Sequence, residues 1–172
     1  MLGISIRTSD PNPEFWAVVD KAASFETRPS LRELGYPAHI TFAAYRDVKS
    51  AVLREALSVF DHERIFTARF EALATFDAAS PVIWLKPNAD GRLYAIHDRI
   101  HALVDEDRCE PYYRPGNWIP HCTVAVAIDP AQRQAALSFA RRPLSRFSIS
   151  FDVAEVISWP PPKPLASIEL RR

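Results

Sequence analysis

A chain of 172 residues and 19.4 kDa is the size of one domain, or of two small lobes sharing a core. Hydrophobic residues make up 48% and charged residues 24%, which is ordinary for a soluble globular protein, and 21 basic against 21 acidic residues leave no formal net charge. That balance excludes a broad electrostatic footprint on nucleic acid, but not a local cleft that grips one short phosphate-bearing ligand.

In chain order, Leu2–Arg7 alternates Leu2, Ile4 and Ile6 against small or polar residues and reads as a strand. A turn at 10–13 follows, and Pro13 suits the first position of a helix whose stripe is Phe15, Val18, Val19, Ala22 and Ala23. Arg28-Pro29-Ser30 ends it, and Gly35-Tyr36-Pro37 turns the chain into a strand at His39–Tyr45. A helix with Val52, Leu53, Ala56, Leu57 and Phe60 on one face comes next, then strand-like stretches near 65–70, 73–76 and 82–85. The third helix is predicted at 92–107, with Leu93, Ile96, Ile100, Leu103 and Val104 as its stripe. A loop of turn and aromatic residues at 111–118 feeds a strand near 120–128. Pro130 opens a fourth helix that ends before Pro143, and strands near 147–151, 153–159 and 166–170 close the chain. The three prolines at 160–162 make a stiff connection, and nothing is low in complexity, so residues 1–172 read as a single bilobal domain.

Several chemistries are excluded early. The four glycines, at 3, 35, 91 and 116, are too scattered for a phosphate-binding loop, a dinucleotide fingerprint or a G-x-S-x-G elbow. Cys109 and Cys122 form neither a C-x-x-C pair nor a four-cysteine zinc site, and two thiols in an ordinary chain suggest a reducing compartment. The N-terminal apolar stretch is too short for a signal peptide, and no apolar run approaches the roughly 20 residues of a membrane span. A cytoplasmic, soluble monomer is expected.

The element order repeats. Setting His39 over His121 places Thr41 on Thr123, Ala43 on Ala125 and Asp47 on Asp129 without gaps. One residue of shift then places Phe66 on Phe147, and Phe70-Glu71 on Phe151-Asp152. Both halves read strand, helix, strand, strand, so the simplest account is a duplicated α+β unit with an approximate twofold relation.

On a strand, residues two apart share a face. His39 and Thr41 therefore face one way, as do His121 and Thr123, with the small Ala43 and Ala125 expected to continue that face and leave room above it. If the twofold brings the strands side by side, two imidazoles and two hydroxyls line one cleft. That set suits phosphoester cleavage. Histidine titrates near pH 6.5, so one ring can act as base while the other acts as acid, and threonine hydroxyls can hold non-bridging oxygens. No metal and no cofactor is required.

A pair of H-x-T motifs, each followed by an apolar residue and lying 82 residues apart (121 − 39), resembles the two-histidine phosphoesterase superfamily of 2'-5' RNA ligase-like proteins and 2',3'-cyclic phosphodiesterases. The stretch YRPGNWIPHCTV at 113–124 is similar to the lead into the second motif of bacterial members. The resemblance implies two antiparallel sheets facing a central cleft with helices outside. It implies His39 and His121 as the acid–base pair and Thr41 and Thr123 as phosphate binders. The implied ligand is a nucleotide or RNA 3' end with a 2',3'-cyclic phosphate, the implied reaction its hydrolysis, with ligation as a possible reverse reaction.

Other residues invite readings of their own. Tyr113, Arg114 and Trp118 are tentative substrate contacts, Arg114 for phosphate or ribose and the aromatic residues for stacking on a base. His97 and His101 have the spacing of a zinc helix, but they border an amphipathic stripe and are expected on its solvated flank, without a metal. Cys122 should point away from the cleft as a core residue. Two rival functions are a non-catalytic module that binds nucleotides or RNA ends in the same cleft, and a zinc hydrolase built on His97 and His101.

Overall fold

The computed structural model describes residues 1–76, 78–88 and 91–172. Among these residues eight strands form two four-stranded antiparallel sheets with helices packed around them. The first sheet contains β1 (Leu2–Arg7), β2 (His39–Tyr45), β7 (Val153–Ser158) and β8 (Lys163–Glu169), in the order β2-β1-β7-β8. The second contains β3 (Phe66–Phe76), β4 (Val82–Pro87), β5 (Cys122–Ala125) and β6 (Phe147–Phe151), in the order β5-β4-β3-β6.

The two halves of the chain exchange strands. β3 leaves β1 and β2 to join the second sheet, and β7 leaves β4 and β5 to join the first. Only Asp152 separates β6 from β7, so one nearly continuous run of chain serves both sheets. The register of β3 against β6 carries the twofold. Phe66 faces Phe151, Phe70 faces Phe147, and Ala68 faces Ile149 at the centre. Moving either segment onto the other by the 81-residue offset (147 − 66) leaves this pairing unchanged. Phe66, Phe70 and Phe151 are buried there, so the repeated aromatic residues of the sequence form the seam between the sheets.

Helix α1 (Pro13–Ala22) starts on its proline, carries Glu14 in the first turn and Lys21 in the last, and buries Phe15, Val18, Val19 and Ala22. A second, four-residue helix, α2 (Leu31–Leu34), was absent from the sequence expectation. Its signal is the capping box of Ser30 and Glu33, closed by Gly35 at φ 63°, which is left-handed backbone that glycine adopts without strain. Helix α3 is Ser50–Ala56 and continues as a tight turn through Phe60. Helix α4 is Gly91–Leu103 and stops short of the expected 107, because Asp105 accepts from the amide of Asp107 and starts a separate turn. Helix α5 is Arg133–Ala140. The expected strand at 120–128 is shorter, Cys122–Ala125, and the expected pair at 65–70 and 73–76 is one eleven-residue strand with an irregularity between Phe70 and Leu73. No helix among the described residues is long and apolar enough to cross a membrane.

Candidate functional site

The motif strands β2 and β5 are edge strands of their sheets, and they approach each other across the molecule. A cleft of about 240 Å³ lies between them, lined on one side by His39, Thr41 and Ala44 and on the other by Tyr113, Thr123 and Val126. Ala44 and Val126 take the places expected for Ala43 and Ala125, and the reason is a matched pair of bulges. Ser5 pairs with Thr41 but Ile4 pairs with Ala43, so Phe42 is an extra residue in β2. Trp84 pairs with Thr123 but Ile83 pairs with Ala125, so Val124 is extra at the corresponding place in β5. Each bulge inverts the alternation beyond it, sending Ala43 and Ala125 into the core and the next residue toward the cleft. Gly3 sits opposite Ala44 on the cleft floor. A Cβ there would lie 3.0 Å from the Ala43 carbonyl, a tight approach that any larger residue would meet by shifting the bulge by a few tenths of an ångström.

The two imidazoles are held alike. His39 Nδ1 lies 2.9 Å from the carbonyl oxygen of Pro37, and His121 Nδ1 lies 2.7 Å from that of Ile119. A carbonyl only accepts, so in each neutral ring the proton sits on Nδ1 and the Nε2 lone pair is left free. His39 is the first residue of β2, whereas His121 immediately precedes β5. His39 is buried, and burial holds its pKa down to about 4, with the His121 charge acting in the same direction and the Pro37 bond opposing. His121 is also lowered, again chiefly by burial. Its ring meets Phe76 edge-on at 5.0 Å and Trp84 at 6.0 Å, with Tyr113 at 6.1 Å. The His39 amide lies against the Cys122 thiol, joining the two motifs behind the cleft, and burial pushes that thiol up to about 12, so it is a packed core group and not a nucleophile.

Of the three tentative contacts, Tyr113 lines the cleft, half-buried, with burial pushing its phenol up to about 12 so that it remains a hydrogen-bond donor. Arg114 and Trp118 turn elsewhere. The Arg114 guanidinium donates to the carbonyls of Cys109 (2.9 Å) and Asp107 (2.7 Å) and lines a separate surface pocket beside Arg46. Trp118 is buried, stacked on His97 at 4.4 Å and 6° and packed on Phe42, and its Nε1 donates to the Thr41 carbonyl at 2.9 Å. It supports a motif strand from behind and presents no face to a base.

His97 is not on a solvated flank, as expected, but buried. Its Nε2 and that of His101 both reach the carbonyl of Tyr113, at 2.8 and 3.0 Å, so the pair clamps the loop that carries Tyr113 to the cleft. Among the described residues no three histidine, cysteine or carboxylate side chains come together as a metal site.

Sequence reasoning missed several residues of the cleft. Leu31 enters it from α2, and Trp159 from the end of β7, where its amide and carbonyl bond the first residue of the chain. Glu26 fastens the rim, its carboxylate accepting from the amides of Leu31 and Val126, one from each half of the chain.

His39, Thr41 and Thr123 line the cleft, while the His121 ring lies beside it against Phe76, Trp84 and the cleft residue Tyr113. Two H-x-T segments related by an internal twofold in a duplicated α+β fold define the two-histidine phosphoesterase class. The family described as the 2'-5' RNA ligase superfamily matches residues 11–159, and the chain belongs to it. Among solved structures it is similar to Escherichia coli LigT complexed with 3'-AMP, at 17% identity over 99% of this chain and 98% of that one, with a TM-score of 0.69. A protein described as a phosphoesterase matches at 18% identity over 99% and 98%, TM-score 0.66. TT0787 of Thermus thermophilus matches at 20% identity over 99% and 97%, TM-score 0.60. No curated protein sequence matches.

Proposed function

We propose that the chain is a phosphodiesterase that hydrolyses a 2',3'-cyclic phosphate on a nucleotide or RNA 3' end, leaving a 2'-phosphate. The observation that carries this reading is the pair of identically anchored imidazoles, each with Nε2 free and each followed by a threonine lining the same cleft. In-line displacement at phosphorus needs a base on the attacking oxygen and an acid on the departing one, on opposite sides of the phosphoryl group. One neutral imidazole takes a proton from water as the new P–O bond forms. The other, as imidazolium, gives its proton to the 3' oxygen as the old P–O bond breaks. The ring that received a proton and the ring that lost one then exchange through solvent, which restores the starting state. The Thr41 and Thr123 hydroxyls hold the non-bridging oxygens, where charge must be stabilised. With a 5'-hydroxyl in place of water as the attacking group, the same displacement of the 3' oxygen leaves a 2'-5' linkage, which would be ligation.

The nucleotide class of the ligand is supported by the relatives, since E. coli LigT has been solved with 3'-AMP, ATP, NADP+ and phosphate. The reaction as written uses no metal ion. The test is hydrolysis of a panel of 2',3'-cyclic nucleotides in EDTA by the parent, His39→Ala, His121→Ala and His97→Ala. Each motif variant should lose roughly 10²- to 10⁴-fold in kcat/KM, with His97→Ala retaining turnover. Full activity in either motif variant would remove that histidine from the chemistry. A parent that binds nucleotides but turns over nothing on the panel would leave the cleft a binding site.

A further inference from the structure

The internal twofold makes the two sides of the cleft comparable residue by residue, and they differ in charge. Across the first sheet Thr41, Ser5 and Glu155 lie side by side in register, and their counterparts in the second are Thr123, Trp84 and Ala74. Glu155 has no exposed surface. One of its carboxylate oxygens accepts from the Tyr36 hydroxyl, and the other is 2.9 Å from Arg7 Nε. The corresponding place in the second sheet is held by Ala74, which carries no charge.

Tyr36 is the third residue before His39, as Trp118 is the third before His121. Each packs its ring in the protein and anchors its polar tip, Trp118 on the Thr41 carbonyl and Tyr36 on Glu155. The Tyr36 ring lies 4.7 Å from the His39 ring, tilted by 60°. The next residue, Pro37, supplies the carbonyl that holds His39 Nδ1. Fixing Tyr36 therefore fixes both the wall against the imidazole and the acceptor that selects its tautomer. An ion pair with Arg7 alone would be cheaper to place in solvent, and the buried site adds the bond to Tyr36.

We propose that Glu155 is a positioning residue for His39, acting through Tyr36 to hold the ring in its Nδ1–H form with Nε2 directed at the reacting phosphate. The proposal rests on the acid–base reading above, but one arm of its test does not depend on turnover. That arm records imidazole ¹⁵N–¹H spectra of the folded parent, Tyr36→Phe, Glu155→Leu and Glu155→Gln. His39 should show the Nδ1–H tautomer in the parent and in Glu155→Gln, whose amide oxygen still accepts the hydroxyl. A mixed tautomer is expected in the other two. The second arm measures kcat and KM on a cyclic nucleotide. Tyr36→Phe and Glu155→Leu should lose roughly 10- to 100-fold in kcat with KM little changed, and Glu155→Gln should recover most of that loss. Tyr36→Phe keeps the ring and carries the test if Glu155→Leu does not fold. An unchanged His39 tautomer in folded Tyr36→Phe would overturn the proposal, as would a loss confined to KM. A parent with the expected tautomer but no turnover would overturn the reaction and leave the positioning standing.

Discussion

The sharpest test of the proposed chemistry is its dependence on pH, because burial displaces both histidines in one direction. kcat/KM reports the free enzyme, which must hold one neutral and one protonated ring. His39 is held down to about 4 and His121 below the usual 6.5, so the bell for kcat/KM should rise near pH 4 and turn down below pH 6.5. Each further pH unit removes about tenfold, so kcat/KM should fall roughly 100-fold between pH 6.5 and 8.5. A bound phosphate carries negative charge and draws both rings upward, so the bell for kcat should be displaced to higher pH than that for kcat/KM. The assay is initial-rate hydrolysis of a cyclic nucleotide in constant-ionic-strength buffers, with chemistry shown to limit the rate. A kcat/KM profile that stays level from pH 5 to 9 would refute the two-histidine scheme.

The same buried ring makes stability acid-sensitive. The unfolded chain takes up the His39 proton near pH 6.5 and the folded chain only near 4, so this contribution is complete above 6.5 and is lost as pH falls through that window, by roughly 3 kcal/mol; urea midpoints at pH 7 and 4.5 should therefore differ less in His39→Gln than in the parent. Trp118→Phe leaves the part-buried Thr41 carbonyl without its Trp118 donor and should cost about 1–3 kcal/mol in denaturant titrations, while KM for a mononucleotide stays near the parent value. A large KM change with unaltered stability would return Trp118 to the binding surface. Replacing both His97 and His101 by leucine removes the two donors to the Tyr113 carbonyl and should raise KM about tenfold, the equivalent of one hydrogen bond, with no effect of EDTA on parent or variant.

What was legible in the sequence is what obeys short-range periodicity. The H-x-T spacing put His39 and Thr41 on the cleft side of β2 and Thr123 on that of β5, and the aromatic repeat at Phe66 and Phe147 marked the seam that pairs β3 with β6. Alternation failed at Ala43 and Ala125, because a bulge is set by strand pairing and Phe42 looks like any other apolar strand residue. The capping box at Ser30 and Glu33 was present in the sequence, yet a four-residue helix has too little periodicity to register. Arg114 and Trp118 were proposed on chemical type, but their partners are backbone carbonyls, and a sequence shows no carbonyl positions. His97 borders the stripe of α4 and is buried by the 111–118 loop, a contact outside its own helix. Glu155 was invisible for a related reason, since its partners Arg7 and Tyr36 lie 148 and 119 residues away.

The strand exchange carries a consequence for design. β7 completes the sheet that holds His39, and β3 completes the sheet that holds His121, so neither half owns the framework of its own motif. A half-length chain with this pattern would close its cleft only by lending a strand to a second copy and borrowing one in return. Such a pair would carry two identical motifs with identical surroundings. A single polypeptide is free of that constraint, and the contrast between Glu155 and Ala74 is one place where the surroundings of the two motifs differ.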